Sequence, residues 1–194
     1  MDKKKDIRDF FFRGLMFESE ATKFQNAGIQ IGASSTQAEE QLLAESISPF
    51  SISRRNSALE MARLYAVLHC FENEIREYIR ETLTENDGPD WWTALPPKMK
   101  SHAESRQEVA LKDSWLEGEK SDLLGFIDFG MLTSIIVEKW SYFSNVIPSQ
   151  HWLKQRMEEL EKVRNFIAHN RVLLPTEYQR VYMYIADWNR VIGL

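Results

Sequence analysis

The chain contains a single cysteine, and this scarcity excludes a framework of internal disulfide bonds. Cys70 lies within an apolar helical pattern, so we expect a buried, unreactive thiol in a reducing cytoplasm. A run of about 18 apolar residues is also missing, which argues against a membrane-spanning helix. No apolar segment follows the charged residues 2–6, and we therefore expect a cytoplasmic protein without a secretory signal or a membrane partner.

Motifs for the common phosphate, metal and serine chemistries are missing as well. The glycines do not form the spacings G-x-x-x-x-G-K-[ST] or G-x-G-x-x-G, and no serine stands in G-x-S-x-G. Four histidines and one cysteine lack the spacing of zinc ligands, so we expect neither a metal nor a cofactor. The net charge of −5 argues against sequence-independent binding along nucleic acid, although a small basic pocket could still grip one strand.

The apolar residues that are present follow a helical spacing, and no alternating strand pattern of useful length is found. A hydrophobic fraction of 43%, with six Trp and eleven Phe, is enough for one core. We predict an all-α bundle of five to seven helices over residues 54–194, preceded by an N-terminal helical extension and linker over residues 1–53. The extension carries an aromatic helix over residues 6–27, which packs on the main domain or docks a partner.

Capping residues and helix stops divide the bundle further. Proline and asparagine-glycine signals end one predicted helix before the next begins. The predicted helices of the bundle, each with the residue expected to begin it, are 57–83 (Ser57), 97–115 (Pro97), 128–143 (Asp128), 149–170 (Ser149) and 176–192 (Thr176).

The helix predicted over residues 149–170 ends in three polar groups, Arg164, Asn165 and His169. Its apolar stripe consists of Leu153, Met157, Leu160 and Ile167. Arg164 falls near the middle of that stripe, where a core residue is expected. A guanidinium cannot lose its charge, so it must meet a carboxylate, a subunit boundary or an anionic ligand. Asn165 lies one turn before His169, so its amide can reach and orient the imidazole.

Two interpretations of this arrangement stay open on spacing alone. An arginine on an apolar stripe is more often part of a structural ion pair, and a histidine at a helix end is more often a surface residue. In that case Arg164 pairs with an acid such as Glu72 or Glu138, and the protein is a non-catalytic binding module. Glu72 and Arg76, one turn apart, would otherwise form an exposed ion pair.

The segment Arg164-Asn165-Phe166-Ile167-Ala168-His169 resembles the R-x4-6-H motif of the HEPN superfamily, in which asparagine is typical after the arginine. Residues 71–76 and 127–130, and then Trp140, resemble one prokaryotic branch, so the resemblance extends from about Arg54 onward. It implies a metal-independent endoribonuclease, active as a homodimer, in a toxin, in phage defence or in RNA processing. It also implies that Arg164 binds or stabilises the phosphate, that His169 handles the proton and that Asn165 holds the imidazole.

Metal-free RNA cleavage needs a base for the 2′-hydroxyl proton, an acid for the leaving 5′ oxygen and a cation over the phosphate. One His and one Arg are too few, whereas two chains related by a two-fold axis supply two of each. We therefore expect an RNA substrate and a homodimer formed through the motif helix. The resemblance also allows a member that has lost activity, or one that partners a nucleotidyltransferase antitoxin or another protein.

Overall fold

The computed structural model describes residues 35–113, 115 and 118–193, which form seven α-helices and two short 3₁₀ helices without a β-strand among them. The all-α prediction is confirmed. Within these residues no helix combines the length and hydropathy needed to span a membrane. The helix predicted over residues 6–27 lies outside the described residues. The α-helices are α1 (Ser35–Ile47), α2 (Ile52–Asp87), α3 (Pro97–Lys112), α4 (Phe129–Glu138), α5 (Trp140–Phe143), α6 (Gln150–Ala168) and α7 (Pro175–Ile192), and the 3₁₀ helices are Trp91–Ala94 and Leu123–Phe126.

The chain divides into two compact units, Met1–Arg55 and Asn56–Leu194. The second unit contains a continuous hydrophobic core, to which α2, α4, α6 and α7 each contribute an apolar face. The stripe predicted on the motif helix is buried as expected, and its members are Leu153, Met157, Leu160 and Ile167. Cys70 is exposed, contrary to expectation, because it lies beside the buried face of α2 that carries Leu68 and Phe71.

Helix α6 runs antiparallel to α7. Arg156 Nη2 lies 3.0 Å from Asp187 Oδ2, and Arg180 Nη1 lies 3.5 Å from Glu159 Oε2. The later residue on α6, Glu159, pairs with the earlier residue on α7, Arg180. The two ion pairs therefore hold the helices side by side in opposite directions.

Helix α7 runs parallel to α2. Tyr178, near the start of α7, lies close to Glu60 of α2. Burial raises the pKa of the Tyr178 hydroxyl, and the nearby Glu60 carboxylate raises it further. Trp188, further on, meets the ring of Tyr78 edge to face at a centroid distance of 5.9 Å. Because α7 is parallel to α2 and antiparallel to α6, α2 and α6 are antiparallel to each other.

Helix α2 begins at Ile52, five residues before the predicted start at Ser57. The backbone N–H of Arg55 already donates to the carbonyl of Ser51 at 3.0 Å, so the helix is formed there. The pair Ser57 and Glu60 lies inside the helix and does not cap it. The prediction was wrong because the same Ser-x-x-Glu spacing fits a helix interior, and no helix-breaking residue stands between Ile52 and Ser57.

The helix predicted over residues 128–143 is divided in two. Asp128 precedes α4 but does not cap it, because its carboxylate accepts hydrogen bonds from His102 Nε2 (2.9 Å) and Arg106 Nη1. Helix α4 ends at Glu138, and Lys139 leaves the helical conformation with φ −101° and ψ 30°. The interruption accompanies a long-range ion pair of Lys139, which sequence spacing does not indicate.

Helix α7 begins one residue earlier than predicted. Pro175 occupies the first helical position, so Leu174 is the residue before the helix. The Glu177 carboxylate accepts the backbone N–H of Leu174 at 2.6 Å. The predicted start at Thr176 is therefore wrong, because Pro175 already occupies the first helical position.

Asp87, the last residue of α2, ties this helix to the junction of α4 and α5. Lys139 Nζ donates to Asp87 Oδ2 at 2.7 Å, and the Tyr142 hydroxyl donates to Asp87 Oδ1 at 2.6 Å. These hydrogen bonds, that of Lys139 first, hold the pKa of Asp87 below its ordinary value. The same interaction with Asp87 raises the pKa values of Lys139 and Tyr142.

We predict that Asp87→Asn lowers the melting temperature at pH 7. We also predict that the melting temperature of this variant falls less steeply with pH in acid than that of the wild type. The folded-state pKa of Asp87 is depressed, so its stabilisation is fully present above the unfolded pKa of about 3.9 and is lost as pH falls through the folded value. Thermal melts of the wild type and the variant between about pH 2 and pH 7 measure this. Curves that stay parallel over the whole range would contradict the prediction.

Candidate active site

The end of α6 is closed by a cap that fixes the position of the predicted motif. Asn170 has φ 58°, the left-handed conformation expected for it. Its N–H donates to the carbonyl of Ile167 at 2.8 Å, and the N–H of Arg171 donates to that of Phe166 at 3.3 Å. This pair of bonds is a Schellman motif, which satisfies carbonyls of the last turn. His169 is the residue at the turn, and its side chain is exposed.

Arg164 lies on the next-to-last turn of α6, and its side chain is partly exposed. Its side chain is 36% exposed, and its Nε lies 3.5 Å from Glu72 Oε2 on α2. Its Nη1 donates to Asn165 Oδ1 at 3.2 Å. Of the five N–H donors of a guanidinium, the described residues thus engage one in a hydrogen bond. The arginine is held on one side and open on the other.

Glu72 is the carboxylate that Arg164 meets, and it is buried, with 8% of its surface exposed. Its other oxygen, Oε1, accepts a hydrogen bond from Arg76. Arg76 also donates to the carbonyls of Leu124 and Ile127, each at 3.3 Å. The expectation of an exposed Glu72–Arg76 pair was therefore wrong, because the 3₁₀ segment Leu123–Phe126 packs against the arginine.

The polar cluster continues along α2 through two residues that sequence reasoning missed. Arg76 Nη1 donates to Asn73 Oδ1 at 3.3 Å. The Asn73 Nδ2 donates to the carbonyl of His69 at 2.9 Å and lies 3.2 Å from His69 Nε2. The signal in the sequence was the i, i+4 and i+7 spacing of His69, Asn73 and Arg76, which places them on one side of α2.

The structure brings Arg164 and Asn165 into contact through their side chains. Asn165 meets His169 through its backbone carbonyl, which accepts the His169 N–H at 3.1 Å. The imidazole itself is exposed to solvent, one turn beyond Arg164. Within residues 35–113, 115 and 118–193, no three His, Cys, Asp or Glu side chains converge as a metal site requires.

The described residues form an all-α bundle, and all-α is the fold class of HEPN domains. A family model described as Swt1-like HEPN matches residues 66–193, and the chain therefore belongs to the Swt1-like HEPN family. The matched range contains the whole polar cluster, from His69 on α2 to His169. No curated protein and no solved structure matches the chain.

We predict that the two arginines beside Glu72 differ in their contribution to stability. Arg76→Ala leaves a buried carboxylate without its close partner and should cost about 3 kcal/mol. Arg164→Ala should cost less than about 1 kcal/mol, because the side chain is partly exposed and Glu72 keeps Arg76. Urea unfolding of both variants measures the difference.

Arg80→Ala is the matched control for this comparison. Arg80 also lies on α2 and is as exposed as Arg164 (36%), but its acidic partners Glu77 and Asp122 are themselves exposed, unlike Glu72. Its loss should cost less than about 1 kcal/mol. If Arg164→Ala destabilised the protein as much as Arg76→Ala does, Arg164 would be a structural ion-pair partner.

Proposed function

We propose that this protein is a metal-independent endoribonuclease that acts as a homodimer, in a toxin or phage-defence setting. HEPN domains are commonly ribonucleases, which supports this class of activity for a member of the family. The observation that carries the proposal is the half-exposed guanidinium of Arg164, one helical turn from the exposed imidazole of His169.

The reaction is attack by the RNA 2′-hydroxyl on the adjacent phosphorus. The O2′–P bond forms and the P–O5′ bond breaks, which gives a 2′,3′-cyclic phosphate and a free 5′-hydroxyl. His169 takes the proton of the 2′-hydroxyl, and a second acid supplies one to the leaving 5′ oxygen. Arg164 stabilises the negative charge that builds up on the phosphate oxygens, and Asn165 holds the Arg164 guanidinium in place.

The cluster around Glu72 suits Arg164 to bind an anion. Two guanidiniums, Arg76 and Arg164, surround one carboxylate, so one net positive charge remains. Arg76 lies closer to Glu72 than Arg164 does, and it carries most of the neutralisation. Glu72 therefore holds Arg164 in position without cancelling its charge. The open side of the guanidinium can donate two parallel hydrogen bonds to a phosphate.

A second copy of the chain would complete the site, because cleavage needs an acid as well as a base. Apolar side chains directly after the motif support an interface there. Val172 is 53% exposed and Leu174 is 64% exposed, beside the exposed His169. An isologous dimer through this end of α6 would cover them and bring two motifs together.

We predict that Arg164→Ala and His169→Ala each reduce RNA cutting at least about 100-fold while the fold is retained. Cutting by the wild type should survive a chelator and leave 2′,3′-cyclic phosphate ends. Gel assays on labelled RNA, with end-group analysis, measure both. The matched controls are Lys162→Ala, a cation two residues before Arg164, and His151→Ala, an exposed histidine at the other end of α6.

Normal cutting by either Arg164→Ala or His169→Ala would show that the site is elsewhere. Loss of cutting in the chelator would show that a metal ion takes part.

We predict that the activity per chain falls on dilution, in proportion to chain concentration once dimers are the minority. Val172→Glu should shift this fall to higher concentration, because it places a charge in the interface. Val146→Glu is the control, since Val146 is also exposed (42%) but lies before α6, about 28 Å from the motif end. Sedimentation velocity checks the oligomeric state. An activity per chain that is constant down to the monomer would contradict the dimer.

The contact between Arg164 and Glu72 also favours a second candidate, a non-catalytic interaction module. In that case the ion pair is structural and the exposed apolar residues dock a partner protein, such as a nucleotidyltransferase antitoxin. The unfolding comparison of Arg76→Ala with Arg164→Ala separates the two candidates. The ribonuclease is the better supported, because the ion pair with Glu72 leaves part of the Arg164 side chain exposed, and within the described residues the exposed His169 is engaged through its backbone alone.

A further inference from the structure

A second imidazole, that of His69, belongs to the polar cluster on α2. It is exposed and connects to Arg76 through Asn73, while Arg76 connects to Arg164 through Glu72. The proposed mechanism leaves it without a role. Its place relative to His169 follows from the directions of the helices.

His69 and His169 lie at nearly the same height along the bundle. Helices α2 and α6 are antiparallel. Arg164 Nε lies 3.5 Å from Glu72 Oε2, so these two residues serve as a common reference height along the bundle. His169 follows Arg164 by five residues, about 7.5 Å along the axis, and His69 precedes Glu72 by three residues, about 4.5 Å in the same direction. The two histidines therefore differ in height by roughly 3 Å. Both therefore lie toward the same end of the bundle, beyond the contact between Glu72 and Arg164.

The hydrogen bonds of Asn73 determine the tautomer of His69. Arg76 can only donate, so the atom of Asn73 that it meets is the amide oxygen. The amide nitrogen then faces His69, where it also donates to the backbone carbonyl. Because this nitrogen donates to His69 Nε2 as well, Nε2 carries no proton in the neutral ring. The proton is on Nδ1, which is left as a hydrogen-bond donor.

We propose that His69 is a substrate-binding residue of the same site, whose Nδ1–H donates a hydrogen bond to a non-bridging oxygen of the RNA phosphodiester. This inference rests on the proposed ribonuclease function. His69 transfers no proton in it, since the 2′-hydroxyl proton goes to His169 as before. This donor adds to Arg164 a second, directional contact to the oxyanion.

The test compares His69→Ala with His69→Asn, because the amide nitrogen of asparagine stands at the same distance from Cβ as Nδ1 does. His69→Ala should lower kcat/KM about 10- to 100-fold, the effect of losing one hydrogen bond to a charged group. His69→Asn should recover most of that loss. The pH dependence of kcat/KM should keep the same limbs in both variants, because His69 transfers no proton in the proposed reaction. His151→Ala, on α6, is the control with wild-type rates.

Three outcomes overturn the proposal: wild-type kcat/KM in His69→Ala, equal losses in the Ala and Asn variants, or loss of one limb of the pH profile. The last would mean that His69 transfers a proton. Binding of a 2′-O-methyl RNA, which cannot be cut, tests the contact even if the wild type cleaves nothing. Weaker binding by His69→Ala that is restored in His69→Asn supports it, and equal or absent binding in all three overturns it. A failure of the ribonuclease proposal is thereby distinguished from a failure of this one.

Discussion

The buried carboxylate of Glu72 is the constraint on which the polar end of the bundle depends. An ionised group with 8% exposure must be paired, since an isolated buried charge costs several kcal/mol or more. Arg76 provides that pairing and is itself anchored to the carbonyls of Leu124 and Ile127. Once Glu72 is fixed, its second oxygen lies 3.5 Å from Arg164 and holds that guanidinium at the edge of the core.

Features governed by neighbours in the sequence could be predicted. The buried stripe of α6, its start at Ser149 and the left-handed Asn170 each follow from a rule that acts within about one or two turns. A helix also fixes the angles between Arg164, Asn165 and His169, but spacing did not indicate that the Asn165 side chain would meet Arg164, since it was expected to orient the imidazole. The all-α class followed from the same periodicity, repeated along the chain.

Features governed by distant partners could not be predicted. Helix α4 is interrupted at Lys139, whose ammonium lies 2.7 Å from Asp87, 52 residues earlier. Glu72 and Arg76 are buried by a 3₁₀ segment about fifty residues further along, so the spacing rule for an exposed pair gave the wrong environment. Local patterns carry no information about such partners.

The acidity of the whole chain and the binding of RNA are compatible only if the contact is local. A net charge of −5 argues against a long basic track, so the phosphate in our proposal is held by a few well-placed donors. The cluster offers one net positive charge at Arg164 and, in our proposal, a hydrogen-bond donor at Nδ1 of His69. This donor adds a directional contact to the phosphate without a third guanidinium or ammonium beside Arg164 and Arg76, which already lie beside the same carboxylate. A third permanent cation there would have to be desolvated near two others, so a ring donor oriented by Asn73 is the better complement to the phosphate.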